Sequence, residues 1–401
     1  MSSSSVNISS RWNVDFLKAK SLKTDPFAES IIKEVAKNQD FSSLRELFKA
    51  LDTNDDIANN KNLPPIVNDY FKDNDELPAW ADFKKIKIAQ EVFKENGPEI
   101  ALILNYKALP LCYACKNGAK VLATTGRLTS VGNDTSKMMR RLLETSQMVI
   151  NVMTEGGLSP KGKGIITVKK VRLYHAAIRF FLLNSNSNNY KWDTQHYGLP
   201  INQEEMAGTL MAFSALVLNG LTQLGIELTK EQKDAYMHCW NIVGHYIGLE
   251  PDLYPNDFED GWNLGIEIIK RNQEESADGK FLIDSLILNS KSYFFKGEIM
   301  DFIPAYLIKF FVEDVSKTIN VDLNKVLGLE EHFNLFEKIG GKLFLESFDL
   351  VDGIEDHAPV IKKIVEKFST KHLQELVNHY LKVNNVAFYI PGNLKENWKL
   401  N

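Results

Sequence analysis

Arg172, His175 and Arg179 stand at i, i+3 and i+7 in the stretch Arg172-Leu173-Tyr174-His175-Ala176-Ala177-Ile178-Arg179. On a helix that spacing puts all three heads on roughly one face. Leu173, Ala176, Ala177, Ile178, Phe180 and Phe181 make the rest of the segment read as core. Two guanidinium groups and an imidazole on a buried helix are costly unless an anion meets them. A haem would answer that need, its iron taking a neutral imidazole and its propionates the guanidinium groups. The same residues admit a plainer reading: a hydrogen-bonded structural histidine, flanked by arginines that pair with Asp or Glu elsewhere in the chain.

A second set lies upstream, where Arg141, Thr145, Met148 and Val152 share a helix face. Polar groups on an apolar stripe suggest a lined cavity. The alternative is local, with Arg141 pairing to Glu144 at i, i+3 and Thr145 bonding back to its own helix. His238 and His245 sit seven residues apart beside Trp240, Gly244 and Gly248. Two turns is too far for both to bind one metal, so the glycines read as points of close approach for a helix or a flat ligand. His196, His332, His357, His372 and His379 lack such a setting and read as surface or structural.

Other motifs fall away on inspection. Cys112-Tyr113-Ala114-Cys115 is followed by Lys116, not the His that covalent c-type haem attachment needs, and no second Cys or His pair completes a zinc site. These thiols, with Cys239, read as ordinary buried cysteines. Gly157-Leu158-Ser159-Pro160-Lys161-Gly162-Lys163 imitates a phosphate-binding loop, but Gly164 replaces the magnesium-binding Ser or Thr and a helix precedes it. Lys161, Lys163, Lys169 and Lys170 then read as a solvated surface. No hydrolase, zincin or dinucleotide signature is found.

The elements that must position these groups are helical. The chain has 401 residues, 44% of them hydrophobic, and a formal net charge of −5. It can bury a large core, and its charge offers no argument for nucleic acid or an anionic membrane. No apolar run approaches a membrane span, and the polar start Met1–Ser5 lacks a secretory core, so a cytoplasmic location is expected. Asp134 reads as a cap for a helix ending at Gly156-Gly157. Asn202 with Glu205, and Thr229 with Gln232, open two more, the last stopped by Gly248 and Pro251. Ile165-Ile166-Thr167-Val168 is the best strand candidate. The class is all-α, organised as a disordered 1–12, a helical extension over 13–94 that covers the core, a core over 95–290 and a C-terminal helical region over 291–401 packed on it.

Several ordered blocks resemble the MpaB-type oxygenase family, which includes rubber-cleaving enzymes. They are Leu109-Pro110 through Thr125-Gly126-Arg127-Leu128, then Arg141-Leu142-Leu143-Glu144-Thr145, then Arg172-x-x-His175-x-x-x-Arg179. Pro200-Ile201-Asn202-Gln203-Glu204-Glu205 to Gly208-Thr209 and Phe213-Ser214 follow, and Trp240-Asn241-Ile242-Val243-Gly244-His245-Tyr246-Ile247-Gly248-Leu249 closes the series. The resemblance covers about residues 95–290 and implies a globin-like helical core, with additional N- and C-terminal helices, holding one b-type haem. It implies His175 as the proximal iron ligand, with Arg172 and Arg179 contacting propionates or buttressing the pocket. Arg141 and Thr145 take distal positions and Thr209 a further pocket position; His245 is a candidate second ligand. Where rubber-cleaving members can carry a distal lysine, this chain has Glu144, which can serve as a base. The implied activity is haem-dependent oxygenation of an apolar, prenyl-like or unsaturated substrate by dioxygen, by oxidative C=C cleavage; the alternative is a non-catalytic haem protein for sensing, storage or transfer.

Overall fold

The computed structural model describes residues 10–36, 41–52, 63–72, 76–125, 134–184, 192–295, 301–332, 369–370 and 392–398. The all-α reading holds: the described residues form helices, and their sole β feature is an isolated bridge between Cys115 and Gln273. The N-terminal helices are α1 (Val14–Ser21), α2 (Pro26–Val35), α3 (Phe41–Asp52) and α4 (Pro65–Lys72). The bundle follows as α5 (Phe83–Ile103), α6 (Leu109–Ala114), α7 (Lys116–Thr125), α8 (Ser136–Met153), α9 (Lys163–Asn184) and the short α10 (Thr194–Tyr197). It continues with α11 (Gln203–Phe213), α12 (Ala215–Gln223), α13 (Lys230–Ile247), α14 (Phe258–Asn272) and α15 (Ala277–Tyr293). Helices α16 (Ile303–Ile319), α17 (Leu323–Val326) and α18 (Gly392–Asn397) complete the described chain. None of the described helices is long and apolar enough to cross a membrane.

The helix ends follow local chemistry. Both expected capping boxes form: Asn202 Oδ1 accepts the Glu205 amide at 2.9 Å, and Thr229 Oγ1 accepts that of Gln232 at 3.2 Å. Gly248 ends α13 in the left-handed region at φ 89°. Asp134 Oδ1 accepts the Ser136 amide at 2.9 Å from two residues ahead of the helix start, the cap position itself being Thr135. The β-branched run Ile165–Val168 is not a strand but the opening of α9, where Ile165 and Val168 are wholly buried. Propensity yields to burial there.

Two prolines reshape the bundle. Pro110 has no amide to return to Tyr106, so residues 104–108 widen into a π-turn in which the Leu109 amide bonds the Leu104 carbonyl. Pro98 likewise leaves the Lys94 carbonyl unclaimed by its helix, and Trp398 Nε1 donates to it at 2.8 Å. Gly97 makes room for that indole, since a Cβ there would lie 2.0 Å from the Trp398 ring.

Helix α9 sits between two apolar clusters. Ile165 and Val168 join the main core, while Leu173, Ala176 and Ala177 pack with Ile31, Ile32, Leu47 and Val67 of the N-terminal helices. The N-terminal region therefore builds its own core against α9 in addition to covering the bundle. Order begins before residue 13: Ser10–Trp12 forms a 3-10 turn, Trp12 is fully buried, and its Nε1 donates to Asp260 Oδ1 at 2.6 Å. This corrects the expected disorder of residues 10–12; residues 1–9 lie outside the described residues, as do Gly126-Arg127-Leu128, His357, His372 and His379.

Candidate functional site

The α8–α9 connection sets the depth of the two helices that carry the candidate groups. A Cβ on Gly157 would stand 2.0 Å from the Asn151 carbonyl, and one on Gly162 would stand 2.4 Å from that of Gly156. The glycines that imitate a phosphate loop are thus required for a tight turn between packed helices. Of the nearby lysines, Lys169 departs from the expected solvated surface. It is buried, with Nζ 4.8 Å from the Tyr70 ring centroid.

His175 projects from the middle of α9 with its Nδ1 buried and without a hydrogen-bond partner. Burial, with the charges of Arg179 and Arg141 nearby, pushes its pKa down to about 3. The ring is therefore neutral at any physiological pH, the form a metal takes as a ligand. His175 and Glu205, like Cys112 and Cys115, are deep within the bundle yet keep accessible surface. Burial holds both Cys112 and Cys115 as thiols, the first with a pKa pushed up to about 12.

The flanking arginines find their anions inside the protein. Arg172 makes a bidentate pair with Asp25, Nε to Oδ2 at 2.6 Å and Nη2 to Oδ1 at 2.8 Å. Arg179, 1% exposed, donates from Nε to Glu29 Oε1 at 2.7 Å and from Nη1 to the Ile201 carbonyl at 2.7 Å. Its Nη2 is buried and unpartnered. Asp25 and Glu29 lie 147 and 150 residues away in the chain. No sequence signal linked them to α9, although Asp25-Pro26 marks a helix start.

On α8 the local alternative describes the geometry. Glu144 accepts from Arg140 Nε at 3.0 Å and from Arg141 Nη1 at 3.4 Å, and Thr145 Oγ1 donates to the Arg141 carbonyl at 3.0 Å. Arg141 nevertheless stands close enough for its charge to act on both His175 and Tyr113. The structure thus brings Arg141, Glu144 and Thr145 onto the helix packed against the one bearing His175.

Helix α11 adds Glu205, which the sequence marks only as half of a capping box. Glu205 accepts weakly from the Asn202 amide at 3.4 Å, and burial raises its pKa to about 7 against the opposing pull of backbone amides and Arg179. Thr209, one turn later and exposed, donates to the Glu205 carbonyl at 2.9 Å. Its expected pocket position shares this helix face with Glu205. His245 is exposed, with its ring edge-on to Trp80 at 6.3 Å and within reach of the charge of Arg172, while His238 Nε2 accepts the Asp82 amide at 2.8 Å.

The residues fit a haem at one point directly: a neutral imidazole in the middle of α9, with a buried ring nitrogen that no protein group satisfies, suits a Lewis acid. The described residues contain no cluster of His, Cys, Asp or Glu that would hold a bare metal ion.

The chain is similar to known proteins over much of its length. Residues 109–294, from the first residue of α6 to the end of α15, match the family described as ER-bound oxygenase mpaB/B'/Rubber oxygenase, catalytic domain. The rubber oxygenase of Streptomyces sp. (strain K30) is 20% identical over 267 residues, covering 66% of this chain and 62% of that protein. The match thus spans less than two thirds of that relative's length. The solved structure of latex clearing protein LCP in the closed state superposes with a TM-score of 0.63 at 16% identity, over 93% of this chain and 95% of that one. The likeness of fold extends well beyond the family segment.

Proposed function

We propose, from the match of residues 109–294 to the mpaB/rubber oxygenase catalytic-domain family, that the protein is a haem b-dependent oxygenase that cleaves a C=C bond of an apolar, prenyl-like substrate. The observation that carries this reading is His175, neutral and with a buried, unsatisfied Nδ1, the residue that the sequence resemblance implies as iron ligand. When bound, the haem would supply an iron that binds and activates dioxygen. His175 would hold that iron, and the burial around its ring would limit the access of bulk water.

The chain's own groups then divide the remaining work. Arg141, whose charge reaches His175, would orient anionic or polarised oxygen. Glu144, held between Arg140 and Arg141, takes a proton from the allylic carbon of the substrate. Thr145 and Thr209 offer hydroxyls whose protons already go to carbonyls of their own helices, so they act toward a ligand as acceptors. A short polyprenyl alkene and its fully hydrogenated counterpart make the test. Oxygen uptake by the haem-loaded protein is expected with the alkene alone, and Glu144→Gln is expected to lower it at least 100-fold with haem retained. Equal uptake with both compounds, or none, would overturn the proposed activity.

One observation favours a second reading, a haem protein without turnover: Glu144 and Thr145 are both already engaged along α8. That protein would show the same absorption spectrum with no substrate-dependent oxygen uptake.

A further inference from the structure

His175 is straddled on its own helix by two arginines, at i−3 and i+4, and each is gripped by a carboxylate of the N-terminal helices. Asp25 is 4% exposed and uses both oxygens on Arg172, whose side chain is 17% exposed. The same Asp25 side chain caps α2 by accepting the Ala28 amide at 3.3 Å. Its backbone neighbours are fixed too. The Gln203 amide donates to the Lys23 carbonyl at 2.9 Å, and Gln203 Nε2 donates to the carbonyls of Thr24 at 2.8 Å and Gly248 at 2.9 Å. Gly248 lies so close that a Cβ there would stand 2.4 Å from Asp25 Oδ2 and 2.7 Å from Arg172 Nε. One turn further along α2, Glu29 holds Arg179, whose second nitrogen holds the Ile201 carbonyl immediately ahead of α11. Ile201 is one of the non-glycine residues with positive φ, at 53°. That strained turn needs an outside hold, and Arg179 supplies it.

Charge-assisted, largely buried bonds of this kind fix geometry more than they add stability. We propose that Asp25 and Glu29 are positioning residues for His175: through Arg172 and Arg179 they lock the rotation and depth of α9, and they tie it to the opening of α11. The clamp is complete without any bound group, so the imidazole is preorganised in the apoprotein. This inference rests on the haem reading for its consequence, not for its geometry.

The test uses the full chain and separates the two. Asp25→Asn keeps a good helix cap but removes the charge that Arg172 grips; Glu29→Gln does the same for Arg179, and Glu29→Asp restores it. In the apoprotein, the amides of residues 172–179 are expected to exchange at least tenfold faster in Asp25→Asn and in Glu29→Gln. The His175 ring signals are expected to shift in both, with recovery toward wild type in Glu29→Asp. With haemin added, the same two variants are expected to bind at least tenfold more weakly and to show altered ferric electron paramagnetic resonance. Wild-type exchange and ring signals in both variants would overturn the clamp. A wild-type protein that binds no haemin would instead overturn the haem reading, and the apoprotein measurements would still decide the clamp.

Discussion

At the scale of single residues, His175 and Glu205 give the apoprotein an unusual pH profile. His175 has a folded pKa of about 3 against 6.5 in the open chain. Between those values the unfolded state binds the extra proton, so stability falls as the pH drops from 6.5 toward 3. Glu205 has a folded pKa of about 7 against 4.5. There the folded state holds the extra proton, so stability falls as the pH rises from 4.5 toward 7. From pH 4.5 to 6.5 the two slopes oppose and nearly cancel. Each contributes on the order of a few kcal/mol over its full window. Urea melts from pH 4 to 8 are expected to be nearly flat between 4.5 and 6.5 in wild type, with His175→Gln exposing the decline toward neutrality and Glu205→Gln exposing the acid-side decline. Parallel curves for both variants and wild type would contradict this. The histidine was legible in the sequence because a helix face repeats locally. Glu205 was visible only as half of a capping box, since nothing local reports that burial and Arg179 surround its carboxyl.

At the scale of elements, the positions where the sequence spoke clearly are those governed by neighbours in the chain. The capping boxes at Asn202 and Thr229 and the stop at Gly248 formed as read, because each needs only three or four residues. Ile165–Val168 misled because strand propensity is local, whereas the burial of α9 on two sides is not. Lys107 could not have been placed at all from sequence. It is fully buried in the π-turn, and its Nζ donates to Asn219 Oδ1 and Gln223 Oε1 at 2.6 Å, the Phe311 carbonyl at 2.9 Å and Asp314 at 3.0 Å. It thereby pins α16 and α12 to the bundle. Lys107→Met is expected to cost about 3–5 kcal/mol by leaving Asp314 and the two amides without their cation, measured as a lower urea midpoint. Gly248→Ala is expected to cost about 1–3 kcal/mol, since it strains a left-handed cap and presses on the Asp25–Arg172 pair. A change below about 0.5 kcal/mol in either variant would show that the fold relaxes around the loss.

At the scale of the whole molecule, α9 couples what the sequence divides. The extension read as a cover for the core shares α9 with the bundle through Leu173, Ala176 and Ala177, and it supplies both counter-charges for the arginines beside His175. Trp12 and Arg11 fasten the start of the described chain to Asp260 on α14, and Trp398 returns the far end to Lys94 on α5. Such ties favour a single cooperative transition. Far-UV circular dichroism and tryptophan fluorescence are expected to melt together, and a separate early transition in the N-terminal helices would contradict this. The central claim is that His175 is the residue that would hold a haem iron. A haemin titration followed by absorption spectroscopy tests it most directly, run on wild type and on His175→Ala. One haem per chain with a sharp Soret band in wild type, lost in His175→Ala, is the expected result; an equal Soret band and stoichiometry in the variant would contradict it.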